Sequence, residues 1–190
     1  MAISTWDERY RSGEFCSGNA QSSPTPLLVN TAQQLPARRA LDLACGIGRN
    51  ALWLAEHGWR VTAVDGASAA IEVLRSRAAE RSLSIDATVT DIERGEFRIQ
   101  PANWDLITIC YYLQRDLFHQ AKEGLVPGGV LLAIVHITEQ GEEPTAHRLP
   151  PGELARHFDG WEILHSYEGA PRDGAHKRLV AEIVARRPSE

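Results

Sequence analysis

The sequence predicts an α/β fold with a mostly parallel sheet, and three observations support that prediction. A short apolar strand at 40–43 leads into a glycine turn and then into a helix that begins at Arg49. Apolar segments of strand and helix type then alternate along the chain, which is typical of a parallel sheet covered by helices. Near the C-terminus, alternating segments at 161–167 and 178–185 flank a polar stretch, which indicates an antiparallel hairpin.

The other elements follow from apolar periodicity and from breaker residues. A polar stretch at 15–23 is expected to be a loop, and the proline-bearing stretch 138–151 is long enough to be a functional loop. The periodicity predicts helices at 3–11, 24–34, 67–81, 114–123 and 151–158, and strands at 59–64, 83–90, 104–109 and 130–137.

Composition indicates one globular domain over residues 1–190, with a helical lid segment at 1–35 and a core at 36–190. A net charge of −5 disfavours a broad nucleic-acid surface, and no apolar run is long enough to span a membrane. Cys16, Cys45 and Cys110 lack metal-ligand spacing, and their odd number without a secretory signal favours the cytoplasm. We therefore expect a cytoplasmic monomer or homodimer that binds no metal, nucleic acid or membrane.

The glycine turn is the first candidate site. Gly46, Gly48 and Ala51 match the fingerprint G-x-G-x-x-G/A, in which backbone N–H groups at a helix N-terminus face a bound nucleotide. The same glycines could also simply join a strand to a helix. Asp65 ends the next strand, about 20 residues later, where a carboxylate can accept hydrogen bonds from a ribose diol. Its alternative role is to cap the following helix, and one side chain could serve both purposes.

These motifs resemble a known family. The run Asp42-Leu-Ala-Cys-Gly-Ile-Gly48 resembles the first motif of class I S-adenosylmethionine-dependent methyltransferases, and Val64-Asp65-Gly66 resembles the second. Arg49-Asn50 and the segment Trp-Asp-x-Arg-Tyr at 6–10 resemble the small methyltransferases of the tellurite-resistance and thiopurine type. The resemblance implies a Rossmann-like three-layer sandwich, with a mostly parallel seven-stranded sheet ending in an antiparallel hairpin, and S-adenosyl-L-methionine as cofactor.

The resemblance also implies roles for the glycine turn and its surroundings. Gly46 and Gly48, with Cys45 between the strand and the turn, would let the backbone approach the methionine moiety of the cofactor. Asp42 would position the turn or a water near the methionine amino group, and Asp65 with Gly66 would hold the ribose.

Further cofactor contacts are implied at three other places. Asp91 would bind the adenine amino group and Ile92 would offer its N–H to the ring, although a turn-forming aspartate is the alternative. Trp6 and Tyr10 would close over the cofactor, or else serve only as packing for a terminal helix. Cys110 follows the fourth strand, where it would contact the cofactor or merely pack at the strand end.

We therefore interpret the chain as a methyltransferase acting on a small molecule, such as a thiol or a metalloid oxyanion. Such nucleophiles can react without a general base, and no catalytic residue is assigned; His136, Tyr111 and Arg115 are the candidates for mutation. A non-catalytic cofactor-binding or scaffold protein is the alternative from another class. A nicotinamide-dependent oxidoreductase shares the glycine fingerprint but is disfavoured by the terminal hairpin.

Overall fold

In the computed structural model, which describes residues 3–13, 23–143 and 145–189, strands and helices alternate along most of the chain. The strands are β1 (Arg39–Leu43), β2 (Arg60–Asp65), β3 (Ile85–Val89), β4 (Trp104–Cys110), β5 (Leu125–His136), β6 (Glu162–Gly169) and β7 (Val180–Arg186). The helices are α1 (Ile3–Arg11), α2 (Pro26–Ala32), α3 (Arg49–Glu56), α4 (Ser68–Glu80), α5 (Arg115–Gly124) and α6 (Glu153–Arg156).

These strands form one seven-stranded sheet in the order β3-β2-β1-β4-β5-β7-β6. β2 pairs in parallel with both β1 and β3, and β4 pairs in parallel with β5. β7 is antiparallel to its two neighbours, β5 and β6. The predicted fold class is confirmed, because the sheet is mostly parallel and ends in an antiparallel hairpin. The second strand of this hairpin, β7, lies between β5 and the first strand, β6, which forms the edge of the sheet.

The chain divides into two compact units, Met1–Arg98 and Ile99–Glu190. In the first unit, the strand β1 is apolar because both of its faces are covered, and Leu41 and Leu43 are fully buried. The register pairs Leu43 with Val64 and Asp65 with Val89, so the carboxyl ends of β1, β2 and β3 lie at one edge. That edge is where an open α/β sheet binds its ligands.

In the second unit, β5 contains a continuous run of buried residues at 129–135, all of them apolar or glycine. β6 is the outer strand, and most of its side chains are exposed or half-buried. The sequence prediction of a single domain over 1–190 stays a prediction.

The largest error in the predicted elements concerns the segment 125–129, which was expected to be a turn before the fifth strand. The structure places it inside β5, with Gly128 at a φ of +78° and a register shift opposite Trp104 and Leu106. The Gly128 N–H donates to the Arg187 carbonyl, and the Arg187 N–H donates to the Gly129 carbonyl. The turn-forming residues therefore make a bulge that stays paired, because the chain beyond β7 supplies hydrogen-bond partners.

Other predicted bounds were too wide. The helix expected at 24–34 is α2, and the strand expected at 83–90 is the shorter β3. The hairpin strands lie slightly later than expected, as β6 and β7. The predicted loop at 15–23 lies outside the described residues except for its last residue. No helix in the described part of the chain is long and apolar enough to cross a membrane.

Candidate functional site

The glycine turn is stabilised by one hydrogen bond that it donates to β2 and by one within the turn. The Cys45 N–H donates to the Val64 carbonyl at 3.0 Å, and the Gly48 N–H donates to the Cys45 carbonyl at 3.0 Å. Ala44 has a φ of +54°, Gly46 of +55° and Gly48 of +77°. Left-handed backbone costs a non-glycine residue energy, and such strain concentrates at ligand sites.

Asp65 closes this turn with its side chain. One carboxylate oxygen, Oδ2, accepts the Gly46 N–H at 2.8 Å, and the other, Oδ1, accepts the Ala67 N–H at 2.8 Å. Burial raises the pKa of Asp65, while the hydrogen bonds from Ala67, Gly46 and Gly66 oppose that shift. Each oxygen keeps a further lone pair, so the carboxylate can still accept hydrogen bonds from a ligand.

The end of β3 joins the same edge through the backbone. The Thr90 N–H donates to the Asp65 carbonyl at 2.9 Å. Asp91 then forms a turn, in which its Oδ1 accepts the Arg94 N–H at 3.1 Å, and Ile92 is buried. The turn-forming role of Asp91 is therefore present in the structure, and its predicted role toward adenine stays a prediction.

Packing within the protein explains one of the glycines. A Cβ on Gly48 would lie 2.2 Å from Cδ1 of the buried Leu74, with two further atoms of that side chain within 3.0 Å. Gly48 therefore excludes a side chain even without a ligand. Gly66 and Gly46 differ, because a Cβ would meet the side-chain end of Ile3 at 2.7 Å and the hydroxyl end of Tyr10 at 2.8 Å.

The helix α1 covers the glycine turn. Trp6 and Tyr10 pack against a small cluster of buried apolar residues that includes Ile47 and Ala70, and their rings lie 6.2 Å apart. Gly13 follows the helix with a φ of +77°, so the chain ends α1 as predicted. The packing places α1 over the glycine turn. Its role as a lid that closes over the cofactor stays a prediction.

Sequence reasoning missed Asp7, which anchors α1. Its Oδ1 accepts the Ala69 N–H at 2.8 Å and the Ser68 hydroxyl at 3.1 Å, and its Oδ2 accepts from Arg11 at 2.8 Å. The hydrogen bond from Ala69 is the main reason that the pKa of Asp7 is lowered. Asp7 thus caps α4 from another element, and a cap supplied across 62 residues leaves no local sequence signal.

Two more predicted cofactor residues in the first unit, the buried Asp42 and the half-buried Cys45, lie in and beside the turn. Asp42 lies on β1 with 1% of its surface exposed. Burial is the main reason that the pKa of the Cys45 thiol is raised well above its ordinary value, and the charges of Asp65 and Asp42 add to the shift. Cys45 is therefore a neutral thiol here.

The second unit carries a separate cluster, defined by Tyr111, His136, Asp173 and His176. Tyr111 follows Cys110 at the end of β4 and has a φ of +61°. Its ring stacks on His176, with centroids 3.3 Å apart and planes 9° apart, and its hydroxyl donates to Asp173 Oδ2 at 3.1 Å. Cys110 itself is half-buried.

His136 ends β5 and completes this histidine cluster. Its ring centroid lies 5.7 Å from that of Tyr111 and 5.5 Å from that of His176. Burial lowers the pKa of His136, and the nearby charges of Arg178 and Arg148 lower it further, while a hydrogen bond to the Leu179 backbone acts in the opposite direction. The imidazole is therefore neutral at neutral pH.

The sequence pointed to Tyr111 and His136, but it did not point to Asp173 or His176. Asp173 is buried, and its other oxygen, Oδ1, accepts the Ala175 N–H at 3.0 Å. Both residues lie in the connection between β6 and β7, and a turn-rich connection gives no indication of which residues fold back toward the sheet.

Arg115, the third candidate for mutation, is engaged in a structural ion pair. Its guanidinium contacts both carboxylate oxygens of Glu153, at 2.6 Å and 3.4 Å, which ties α5 to α6. The hydrogen bond from Arg115 is also the main reason that the pKa of Glu153 is lowered. The described residues contain no group of three or more acidic, histidine or cysteine side chains able to hold a metal ion.

The fold and the glycine turn can be compared with known families. Residues 40–129 match a family model described as a methyltransferase domain. Over this stretch the chain is similar to that family.

Among individual relatives, the chain is similar to the probable S-adenosyl-L-methionine-dependent methyltransferase TehB of Haemophilus influenzae, with 26% identity over 151 residues, which cover 74% of this chain and 52% of the relative. The crystal structure of TehB from that organism matches with a TM-score of 0.76 and 25% identity, over 95% of this chain and 67% of the other.

Two other relatives carry different names. A ubiquinone biosynthesis O-methyltransferase of Methylocella silvestris is 40% identical over 106 residues, which cover 52% of this chain and 40% of the relative. The structure of a Burkholderia thailandensis 1,6-didemethyltoxoflavin-N1-methyltransferase with bound S-adenosylhomocysteine has a TM-score of 0.73 and 19% identity, over 98% of this chain and 87% of the other. The chain spans about half the length of the curated relatives it matches.

Proposed function

We propose that this protein transfers a methyl group from S-adenosyl-L-methionine to a small-molecule acceptor. The observation that carries the proposal is the turn closed by Asp65, whose carboxylate binds the Gly46 and Ala67 N–H groups. This contact holds a glycine turn and an acidic strand end at one edge of the parallel sheet, which is the arrangement that a nucleoside ligand requires.

The residues of the first unit fit this cofactor. Asp65 would accept hydrogen bonds from the ribose hydroxyls through its remaining lone pairs. Asp91 would accept from the adenine amino group, and the Ile92 N–H would face the ring. Trp6 and Tyr10 would provide aromatic faces, which favour a sulfonium cation.

The cofactor supplies an activated methyl group, so the chain needs mainly to position the reactants. Holding two reactants in line is worth up to ~7–11 kcal/mol in well-oriented systems. The packing of α1 on the glycine turn would exclude water from the reacting atoms, because Trp6 and Tyr10 cover it.

The first acceptors to test are thiols and metalloid oxyanions. Oxygen and nitrogen acceptors form the second group, because one relative is an O-methyltransferase of ubiquinone biosynthesis and one structural neighbour is an N1-methyltransferase.

Calorimetric titration with S-adenosylhomocysteine, and separately with NADH, tests the cofactor. We expect binding of S-adenosylhomocysteine and none of NADH, and the opposite result would replace methyl transfer with nicotinamide chemistry. Turnover on a panel of thiols, selenite, tellurite, phenols and amines then tests catalysis. Cofactor binding without turnover on any of them would favour a non-catalytic binding protein.

A further inference from the structure

We propose that helix α1 is a gate over the glycine turn, which must open for S-adenosyl-L-methionine to enter and for S-adenosylhomocysteine to leave, and that Asp7 sets how often it opens. This inference rests on the proposed function and concerns the regulation of that same site. Asp7 acts here as a positioning residue, because its hydrogen bonds join α1 to α4.

One face of α1 is directed at the turn and at the start of α4. Ile3, Trp6, Asp7 and Tyr10 stand at positions i, i+3, i+4 and i+7, which share one side of a helix. The rings of Trp6 and Tyr10 pack against a small cluster of buried apolar residues. The carboxylate of Asp7 accepts from the Ala69 N–H. The side of the helix that holds the polar anchor is therefore also the side that covers the turn.

The two ends of this face lie in front of two glycines that are predicted to contact the cofactor. The end of the Ile3 side chain is 2.7 Å from the position that a Cβ on Gly66 would take, and the Tyr10 hydroxyl is 2.8 Å from the corresponding position on Gly46. A ligand that approaches these glycines from the side of α1 meets those side chains first. The closed position of α1 therefore obstructs the path to the turn.

The helix can open because it is weakly held. α1 has nine residues, and none of them is fully buried. Isolated helices shorter than about 12–15 residues are marginal in water, and segments with few buried contacts open at a low free-energy cost. Opening α1 requires breaking the hydrogen bonds that Asp7 accepts from Ala69 and Ser68, so these bonds contribute to that cost.

The same anchor relates α1 to the residue that is predicted to hold the ribose. Asp65 accepts the Ala67 N–H just before α4, and Asp7 accepts the Ala69 N–H two residues later, both at 2.8 Å. One carboxylate comes from β2 and the other from α1, so the same helix start positions both elements. The closed position of α1 is therefore fixed relative to Asp65.

The gate acts on entry and on release. Only the ends of the Ile3 and Tyr10 side chains lie in front of the glycines, and such ends can move by rotation about single bonds, so α1 can also close over a bound ligand. Weakening the anchor should therefore raise the association and dissociation rates together and change the affinity little. Loss of a direct ligand contact would instead raise mainly the dissociation rate.

The test measures both rates for S-adenosylhomocysteine by surface plasmon resonance, with the wild type and Asp7→Ala immobilised in the same way. We expect each rate to rise about two- to thirtyfold in Asp7→Ala, which is the change in an equilibrium constant that loss of a helix cap produces. Glu8→Ala is the matched control, because Glu8 is exposed on the same helix, and its rates should equal those of the wild type.

The conservative variant Asp7→Asn separates the anchor from a general loss of structure. Its side-chain oxygen can still accept from the Ala69 N–H, but it loses the charge that pairs with Arg11. We expect both of its rates to lie between those of the wild type and those of Asp7→Ala. Circular dichroism first shows that each protein is folded at the temperature of the measurement.

Hydrogen exchange in the unaltered protein provides a readout that does not depend on a variant. We expect the α1 amides to remain protected when S-adenosylhomocysteine is bound, because the gate closes over the ligand. Loss of protection on binding would show that α1 leaves the turn in the complex, and it would overturn the gate.

Equal association rates in the wild type and Asp7→Ala would also overturn the inference, because α1 would then not obstruct entry. A rise in only one of the two rates would do the same, since a gate acts in both directions. Either result leaves the proposed function standing, because S-adenosylhomocysteine still binds. Absence of binding to the wild type would overturn the gate and the proposed function together.

Discussion

The turn closed by Asp65 and the histidine cluster are built in opposite ways. In the turn, the Asp65 carboxylate accepts from two backbone N–H groups that are near it in the sequence. Gly46 lies 19 residues before Asp65 and Ala67 lies 2 residues after it. The cluster uses side chains from β4, β5 and a distant connection, and its tyrosine–aspartate bond spans 62 residues. A site made from backbone is fixed by local geometry, whereas a site made from side chains is fixed by tertiary contacts.

The largest loss of stability is expected from a substitution of Gly48 in the turn. Gly48→Ala places a Cβ 2.2 Å from Leu74 Cδ1 at a left-handed φ. We expect a loss of about 1–2 kcal/mol from the backbone and of about 1–3 kcal/mol from overpacking, measured by urea unfolding. Gly95→Ala is the matched control, because Gly95 has a φ of +69° and no atom within 4 Å of its Cβ. Equal losses in the two variants would show that packing against α4 does not require Gly48.

The stability of the histidine cluster is tested by a substitution of Asp173. Asp173→Ala removes a buried carboxylate that accepts from the Tyr111 hydroxyl and the Ala175 N–H. We expect the free energy of unfolding to fall by about 1.5–3 kcal/mol, the usual range for hydrogen bonds to a charged group. Asp159→Ala, at an exposed aspartate of the same unit, should change it little. Stability like that of the control would show that Asp173 does not hold the cluster together.

The smallest expected effect concerns the anchor of α1. Asp7→Ala removes the cap on the Ala69 N–H, and we expect a loss of about 0.5–2 kcal/mol together with faster hydrogen exchange in α1. Glu8→Ala, at an exposed position of the same helix, is the control. Unchanged exchange in Asp7→Ala would mean that α1 is held by apolar packing alone.

The same anchor has a defined pH dependence. Because the pKa of Asp7 is lowered in the folded protein, its contribution is complete above the ordinary value of 3.8 and is lost as the pH falls below that value. The protection factors of the α1 amides, which compare the measured exchange rate with the intrinsic rate at the same pH, should therefore fall on acidification in the wild type, whereas Asp7→Ala should show no such change from this group.

The fold was largely predictable from the sequence, and the site was predictable in part. The apolar periodicity of the strands and helices predicted the sheet. The turn at Gly46 and Gly48 predicted which edge of the sheet carries the candidate site. The packing partner of Gly48 and the cap from Asp7 were not predictable, because each depends on a residue far away in the chain. The paired bulge at 125–129 was missed for the same reason, since Arg187 supplies its hydrogen bonds.

The most direct test of the central claim is a calorimetric titration of S-adenosylhomocysteine into the wild type and into Asp65→Ala, with Asp86→Ala as an exposed aspartate on the neighbouring strand. Each protein is first shown to be folded at the titration temperature. We expect the Asp65 variant to bind more weakly by ~1.5–3 kcal/mol, the scale of hydrogen bonds to a charged group, and the Asp86 variant to match the wild type. Equal affinity in all three proteins would contradict the claim that the turn closed by Asp65 holds the cofactor.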